Sequence, residues 1–324
     1  MHSTSWKTLL AIASLGIGIT VPTAGALDEV SFGIAADFDG DGKPDLGLYV
    51  VSPRDISTPT WYILLSGRAY DLVTVSSVFG KGTSYPVAAD FDGDGKADLG
   101  VYDKSTPGWY ILLSGRAYDL VTVSSIFGKG TTFPVAADFD GDGKADLGLF
   151  DETAPELLRI LLSGSNYDLA TISFSLFTDG DSFPVAADFD GDGKVDPAMF
   201  ENANDTLQIK LSSRGYATAS ITFTFGDGDP DRPVVGDFDG DGKADPAGYE
   251  SSTGKLIIML SGSGYAITTV RIVSDGESYP IAADFDGDGK ADLATYERTT
   301  GNWILKLSTT GDDAQVTVAS GYMP

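Results

Sequence analysis

Six times along the chain the residues run Asp-x-Asp-x-Asp-Gly-x-x-Asp, opening at Asp37, Asp90, Asp138, Asp188, Asp237 and Asp284. In the second copy the carboxylates of Asp90, Asp92, Asp94 and Asp98 hold positions 1, 3, 5 and 9, and they converge if the backbone coils tightly. Glycine at position 6 (Gly95) permits that turn, and the backbone carbonyl at position 7 (Lys96) completes a ring of oxygens. All-oxygen ligands select a hard cation. The only histidine is His2 and there is no cysteine, so the ligands that zinc or copper favour are missing. Without an ion, carboxylates about 4 Å apart repel by about 4 kcal/mol per pair at an effective dielectric near 20. A bare acidic turn therefore fits one loop poorly and six loops worse. One calcium ion per loop, about six per chain, is the expectation.

The loop is not an EF-hand, which needs a Glu at position 12 and a helix on either side. Position 12 here is Leu48, Val101, Leu149, Met199, Gly248 and Thr295, and the flanking sequence reads as strands.

The elements that must position these loops are equally periodic. Successive motifs are 53, 48, 50, 49 and 47 residues apart, and WYILLSGRAYDLVTVSS occurs at both Trp61 and Trp109. In one period a strand over 85–91 runs into the loop and a second follows over 99–103. A third is predicted over 109–114 and a fourth, rich in Val, Ser and Thr, over 120–127. Gly, Pro, Asp and Ser fill the breaks, and no helical period appears. Four short antiparallel strands per unit, repeated, are the signature of a β-propeller. The ends of the first strands are small (Ala35-Ala36, Ala88-Ala89, Ala136-Ala137, Ala186-Ala187, Val235-Gly236, Ala282-Ala283), as strands converging on an axis require. The fold class is all-β: a six-bladed propeller of four-stranded antiparallel blades.

Whole-chain properties narrow the function. The net charge of −26 would be repelled by nucleic acid or an anionic membrane surface. Hydrophobic residues at 42% and aromatics at 11% supply enough apolar surface for a packed core. There are 40 Asp against 7 Glu, so acid sits where short side chains coordinate or cap. Residues 1–26 read as an export signal: Lys7, an apolar run from Leu9 to Val21, then Ala24-Gly25-Ala26 as a cleavage site. The run is too short to cross a bilayer of about 30 Å unaided and ends at Pro22, so no membrane insertion is expected after cleavage. Residues 27–324 then form one propeller domain outside the cell. With no cysteine, disulfides cannot stabilise it.

The Asp-x-Asp-x-Asp-Gly-x-x-Asp loop between strands, repeated near every 50 residues from Leu27 to Pro324, resembles the FG-GAP repeats of integrin α-chain propellers and the related VCBS-type repeats of bacteria. The resemblance implies calcium in the loop joining the first two strands of each blade. By motif position the ligands are Asp37, Asp39, Asp41 and Asp45 with the Lys43 carbonyl, and Asp90, Asp92, Asp94 and Asp98 with that of Lys96. Asp138, Asp140, Asp142 and Asp146 follow with Lys144, then Asp188, Asp190, Asp192 and Asp196 with Lys194. Asp237, Asp239, Asp241 and Asp245 with Lys243, and Asp284, Asp286, Asp288 and Asp292 with Lys290, complete the set. The six lysine side chains are expected to point into solvent. Such propellers commonly have seven blades and close by mixing both chain ends into one blade. Here six motifs predict six blades. An inner strand at 32–38 and an outer strand at 315–320 predict no mixed blade.

Other residues carry weaker signals. The Ser-Gly-x-x-Tyr turns at Tyr70, Tyr118, Tyr167, Tyr216 and Tyr265, with Trp61, Trp109 and Trp303, either pack between blades or stack on sugars, and packing is favoured. Asp227, Asp229 and Asp231 alternate like a metal loop but lack its glycine, and read as an acidic turn. Glu152 and Glu156 could form an acid/base pair and read better as a solvated loop. With His2 leaving in the signal, histidine-dependent catalysis is absent. A non-enzymatic binding or adhesion module for an extracellular glycan or protein is therefore the first reading. A polysaccharide lyase or hydrolase and a self-assembling surface protein are the alternatives.

Overall fold

The computed structural model describes residues 17–19, 30–52, 55–76, 84–116, 118–124, 132–151, 157–165, 168–173, 182–201, 205–222, 232–272, 280–310 and 314–320. Six antiparallel sheets follow one another along the chain, each built from consecutive strands. Blade 1 comprises Val30–Ala36, Asp45–Ser52, Asp55–Leu65 and Asp71–Ser76. Blade 2 comprises Ser84–Ala89, Asp98–Asp103, Gly108–Leu113 and Asp119–Ser124. Blade 3 has Thr132–Ala137, Asp146–Asp151, Leu157–Leu162 and Asp168–Ser173. Blade 4 has Ser182–Ala187, Asp196–Glu201, Thr206–Leu211 and Ala217–Thr222. Blade 5 has Arg232–Gly236, Asp245–Glu250, Lys255–Leu260 and Ala266–Arg271. Blade 6 has Ile281–Ala283, Asp292–Glu297, Asn302–Lys306 and Val316–Ala319. The fold is a six-bladed all-β propeller, and among the described residues no blade mixes the two chain ends.

Burial along a blade explains its sequence. In blade 2 every residue of the first two strands is buried, because both faces of an inner strand meet neighbouring blades. Such strands read as unbroken apolar runs. The fourth strand of blade 1 alternates exposed and half-buried residues, with Val73 and Val75 turned inward, as an outer strand must. Trp61, Trp109 and Trp303 are at most 1% exposed and lie 5.0, 5.1 and 5.4 Å from the rings of Tyr49, Tyr102 and Tyr296. They are core, and cannot stack on a sugar.

Small residues line the axis as expected: Ala35, Ala36, Ala187, Val235, Ala282 and Ala283 border a central cavity of ≈ 400 Å³ whose mouth carries Asp37, Asp188 and Asp237. The ring closes by packing, since one apolar cluster joins Leu46, Leu48 and Leu64 of blade 1 to Phe285, Tyr296 and Trp303 of blade 6. One further strand, Ile17–Ile19, pairs antiparallel with the inner edge of blade 1, Ile17 opposite Ile34 and Ile19 opposite Phe32. It falls within the stretch read as an export signal, the rest of which lies outside the described residues.

Candidate metal centres

Each acidic loop connects the first strand of a blade to the second, so all six lie on one face of the ring. Two glycines shape each coil. Position 6, singled out from sequence, has φ between +85° and +87° in all six loops, and position 4 has φ between +77° and +81°. Only glycine adopts this region without strain. The requirement at position 4 was not read from the sequence, although the spacing Asp-Gly-Asp-Gly carried it.

In the third loop Asp138 accepts backbone N–H groups from Gly141 (2.6 Å), Asp142 (3.2 Å) and Gly143 (2.9 Å), folding the loop around its first carboxylate. Asp140 accepts from Asp142 N at 3.1 Å, and Asp142 from Lys144 N at 2.8 Å. Position 9 does something different. Asp146 is fully buried; one oxygen accepts Phe139 N (2.8 Å) and Asp140 N (3.2 Å), and the other accepts Ser163 N (2.7 Å) and Ser163 Oγ (2.9 Å). This carboxylate ties the loop to the short 3₁₀ turn that follows the third strand. The same two anchors recur at Asp45, Asp98, Asp196, Asp245 and Asp292. Burial raises the pKa of all six position-9 carboxylates despite these amides, that of Asp292 to about 6.

The 3₁₀ turn closes over the loop. A Cβ on Gly67, Gly115, Gly164 or Gly262 would lie 2.3–2.8 Å from a carboxylate oxygen of position 3 or 5. In blades 4 and 6 the place is taken by Ser213 and Thr309, whose hydroxyls donate to Asp190 and Asp286. In the sequence alone, this turn is marked only by its Ser-Gly-x-x-Tyr pattern.

Carboxylate oxygens within 4.8 Å of one another come from positions 1, 3 and 5 in the loops opening at Asp37, Asp90 and Asp237. In the loops opening at Asp138 and Asp188 they come from positions 1, 3 and 9. Asp92 Oδ1 and Asp190 Oδ1 are buried and accept no hydrogen bond. Gathered like charges, buried acceptors lacking a donor and an all-oxygen set fit a hard metal ion in each loop.

The position-7 lysines do not simply extend into solvent. Each packs its stem against the position-4 glycine of the preceding loop: Lys43 on Gly287, Lys96 on Gly40, Lys144 on Gly93, Lys194 on Gly141, Lys243 on Gly191 and Lys290 on Gly240. Lys43 and Lys194 go on to donate to the Asp286 and Asp140 carbonyls at 2.6 and 2.7 Å. The next residue adds a second link: Ala97, Ala145, Val195, Ala244 and Ala291 donate their N–H to the position-1 carbonyl of the preceding loop at 2.6–3.0 Å. At the joint between blades 6 and 1 that residue is Pro44, which has no N–H. The loops thus form a cyclic chain, each held to the next.

Two of the repeated tyrosines, Tyr70 and Tyr216, pack against apolar clusters. Burial raises the pKa of Tyr216, helped by Asp146 and Asp196 on either side, and its hydroxyl donates to the Phe139 carbonyl of the neighbouring blade at 3.4 Å. Tyr70 packs in the seam of blades 6 and 1, its pKa raised by burial and then by Asp45 and Asp292. Tyr118 and Tyr265, at 38% and 39% exposed, are more open. Tyr167, Glu152, Glu156, Asp227, Asp229 and Asp231 lie outside the described residues.

The FG-GAP-like repeat family matches this chain over residues 37–101, 90–149 and 138–199. No curated protein matches the sequence. Among solved structures, an Agrocybe aegerita lectin described as recognising non-reducing terminal N-acetylglucosamine is similar, with a TM-score of 0.58 and 14% identity over 96% of this chain and 91% of its own. The virginiamycin B lyase of Staphylococcus aureus aligns with a TM-score of 0.53 and 9% identity, covering 94% of this chain and 88% of its own. AztD of Citrobacter koseri aligns with a TM-score of 0.52 and 11% identity, covering 95% of this chain and 96% of its own. At these identities the likeness is one of fold.

Proposed function

The chain belongs to the FG-GAP-like repeat family, and from that premise we propose that it is an exported, calcium-loaded binding module for an extracellular glycan or protein. The observation that carries this reading is the cyclic chain of six acidic loops on one face of the ring. Calcium bound there neutralises the gathered carboxylates. The residues do the rest: position 1 coils the loop, position 9 fastens it to the turn, and positions 7 and 8 fix its distance from the next loop. The result is a rigid, repeated face, and repeated sites on a rigid scaffold raise avidity without any single strong contact. Calcium acts on recognition indirectly, through the fold.

Residues 1–26 serve as the export signal in this reading, and millimolar extracellular calcium keeps the loops filled. The protein is not an enzyme. Dialysed protein should carry about six calcium ions, one per loop. A calcium-loaded sample on a glycan array and an extracellular-protein panel should give binding without turnover. Release of sugars or unsaturated ends, lost on mutating Glu152 or Glu156, would overturn the reading. One or two ions per chain would do the same for the metal assignment.

A further inference from the structure

Four residues before the acidic loop, five blades carry a proline: Pro86, Pro134, Pro184, Pro233 and Pro280. Blade 1 has Gly33 at that place. The register is shared, for Pro86 stands opposite Val101, Pro134 opposite Leu149, Pro184 opposite Met199 and Gly33 opposite Leu48. In blade 2 the ladder continues on both sides of the proline, through Tyr85 opposite Tyr102 and Val87 opposite Gly100. Proline is tolerated inside a ladder only where the N–H it lacks would face away from the partner strand. For a first strand that direction is the ring axis. The prolines therefore blunt five inner edges by removing a donor that an added strand would need.

Gly33 keeps its N–H, and a strand pairs there. Gly18 stands opposite Gly33, with Ile17 opposite Ile34 and Ile19 opposite Phe32. Among the described residues no other blade has a strand on its inner edge. In an antiparallel sheet each residue turns its N–H and C=O to one neighbouring strand and not the other. Position 33 turns away from the second strand, so Gly18 and Gly33 are the pair that exchanges backbone hydrogen bonds. Followed toward its own N-terminus, a strand in this register next meets Ala35 and Ala36, which border the axial cavity of ≈ 400 Å³. The facing wall, with Ala187, Val235, Ala282 and Ala283, is equally small and apolar.

We propose that the inner edge of blade 1 is a strand-addition site, which takes an extended segment of a partner protein once residues 1–26 are gone. The segment carries glycine opposite Gly33, between aliphatic residues opposite Phe32 and Ile34, as Ile17–Ile19 does. Main-chain hydrogen bonds supply the affinity, and the narrow apolar shaft selects the sequence. This names a protein partner for the binding module and rests on that reading only for removal of the export signal.

The calcium-loaded full chain, export signal retained, tests this through Gly18→Pro, which takes the pairing donor from the signal and vacates the edge. The probe is the peptide Ser-Leu-Gly-Ile-Gly-Ile-Thr-Val, residues 14–21, with a lysine tail at its C-terminus for solubility. Titration should show one saturable site on Gly18→Pro, and amide exchange at Gly33 should slow on binding. The wild-type chain should bind the peptide more weakly by roughly tenfold or more, because its own signal competes from within the molecule. A peptide with sarcosine in place of Gly18 should lose a similar factor, roughly tenfold, by leaving the edge carbonyl unpaired. Gly33→Pro added to Gly18→Pro should do the same, and five blades already accommodate that proline. If this double variant fails to fold, the sarcosine peptide decides. No saturable binding to Gly18→Pro, or equal binding of the sarcosine or a scrambled peptide, overturns the proposal. Wild-type dimers that Gly18→Pro dissolves would assign the edge to a second copy and overturn it too. Because the signal is present throughout, the result does not depend on cleavage, which the N-terminal mass of the exported chain reads separately.

Discussion

Replacing Asp146 with alanine separates the two jobs that the acidic positions perform. The substitution removes the acceptor of three backbone N–H groups, those of Phe139, Asp140 and Ser163. Asp140 is only partly buried and its N–H can turn to water. The Phe139 bond is buried and the Ser163 bond partly so. A buried donor left unmatched costs about 1–3 kcal/mol, giving roughly 2–5 kcal/mol for the two. Removing a carboxylate whose pKa is raised by burial offsets part of this. The net loss should be about 2–4 kcal/mol. Asp142 at position 5 provides the control: it is exposed and accepts from Lys144 N and Ser163 Oγ. Asp142→Ala should cost within about 0.5 kcal/mol in chelator, as surface substitutions do. Urea unfolding of both variants, in chelator and in saturating calcium, gives the comparison. Each disables the same loop's ion site, so in calcium both should lose stability while the gap of about 2–4 kcal/mol persists. Equal stabilities for the two variants in both solutions would refute the anchoring role.

Chelation of the native protein should lower its melting temperature by more than about ten degrees, since six ions that bind only the folded chain stabilise it by mass action; melting indifferent to chelator contradicts this. In chelator, stability should rise as pH falls from 7 toward 4. The position-9 carboxylates have folded pKa values raised by burial, that of Asp292 to about 6, so their favourable contribution is complete below the unfolded value and lost as pH climbs through the folded one. Lys43→Met should cost more than Lys194→Met, by about 1 kcal/mol in urea unfolding, because Val195 N still links its loop to Asp138 while Pro44 offers no amide. Equal costs would show that the seam has no special weakness. Deleting residues 315–324 should expose the edge of the third strand of blade 6 without opening the ring, since closure rests on the Leu46–Trp303 cluster rather than on an exchanged strand. Loss of cooperative unfolding in that truncation would contradict the closure described.

Sequence by itself determined whatever repeats within a single blade. The six loops, the four-strand unit, the small first-strand residues and the six-blade count are all short-range patterns. Backbone hydrogen bonding and the pleat act over a few residues, so type and spacing were enough to read them. The coiling of Asp138 around Gly141 and Gly143 is legible for the same reason. Tertiary structure alone decided how blades meet. Lys96 lies against Gly40 and Lys43 against Gly287, partners one blade away in space and about 56 or 244 residues away in sequence. Nothing local to a lysine shows that a neighbouring loop will stand under its stem. The burial of Trp61 and Trp109 and the anchoring of Asp146 by the Ser163 turn belong to the same class. Each depends on surfaces that become adjacent only when strands pair and the blades close into a ring. Packing across those joints couples residues that the repeat pattern, read one blade at a time, treats as independent.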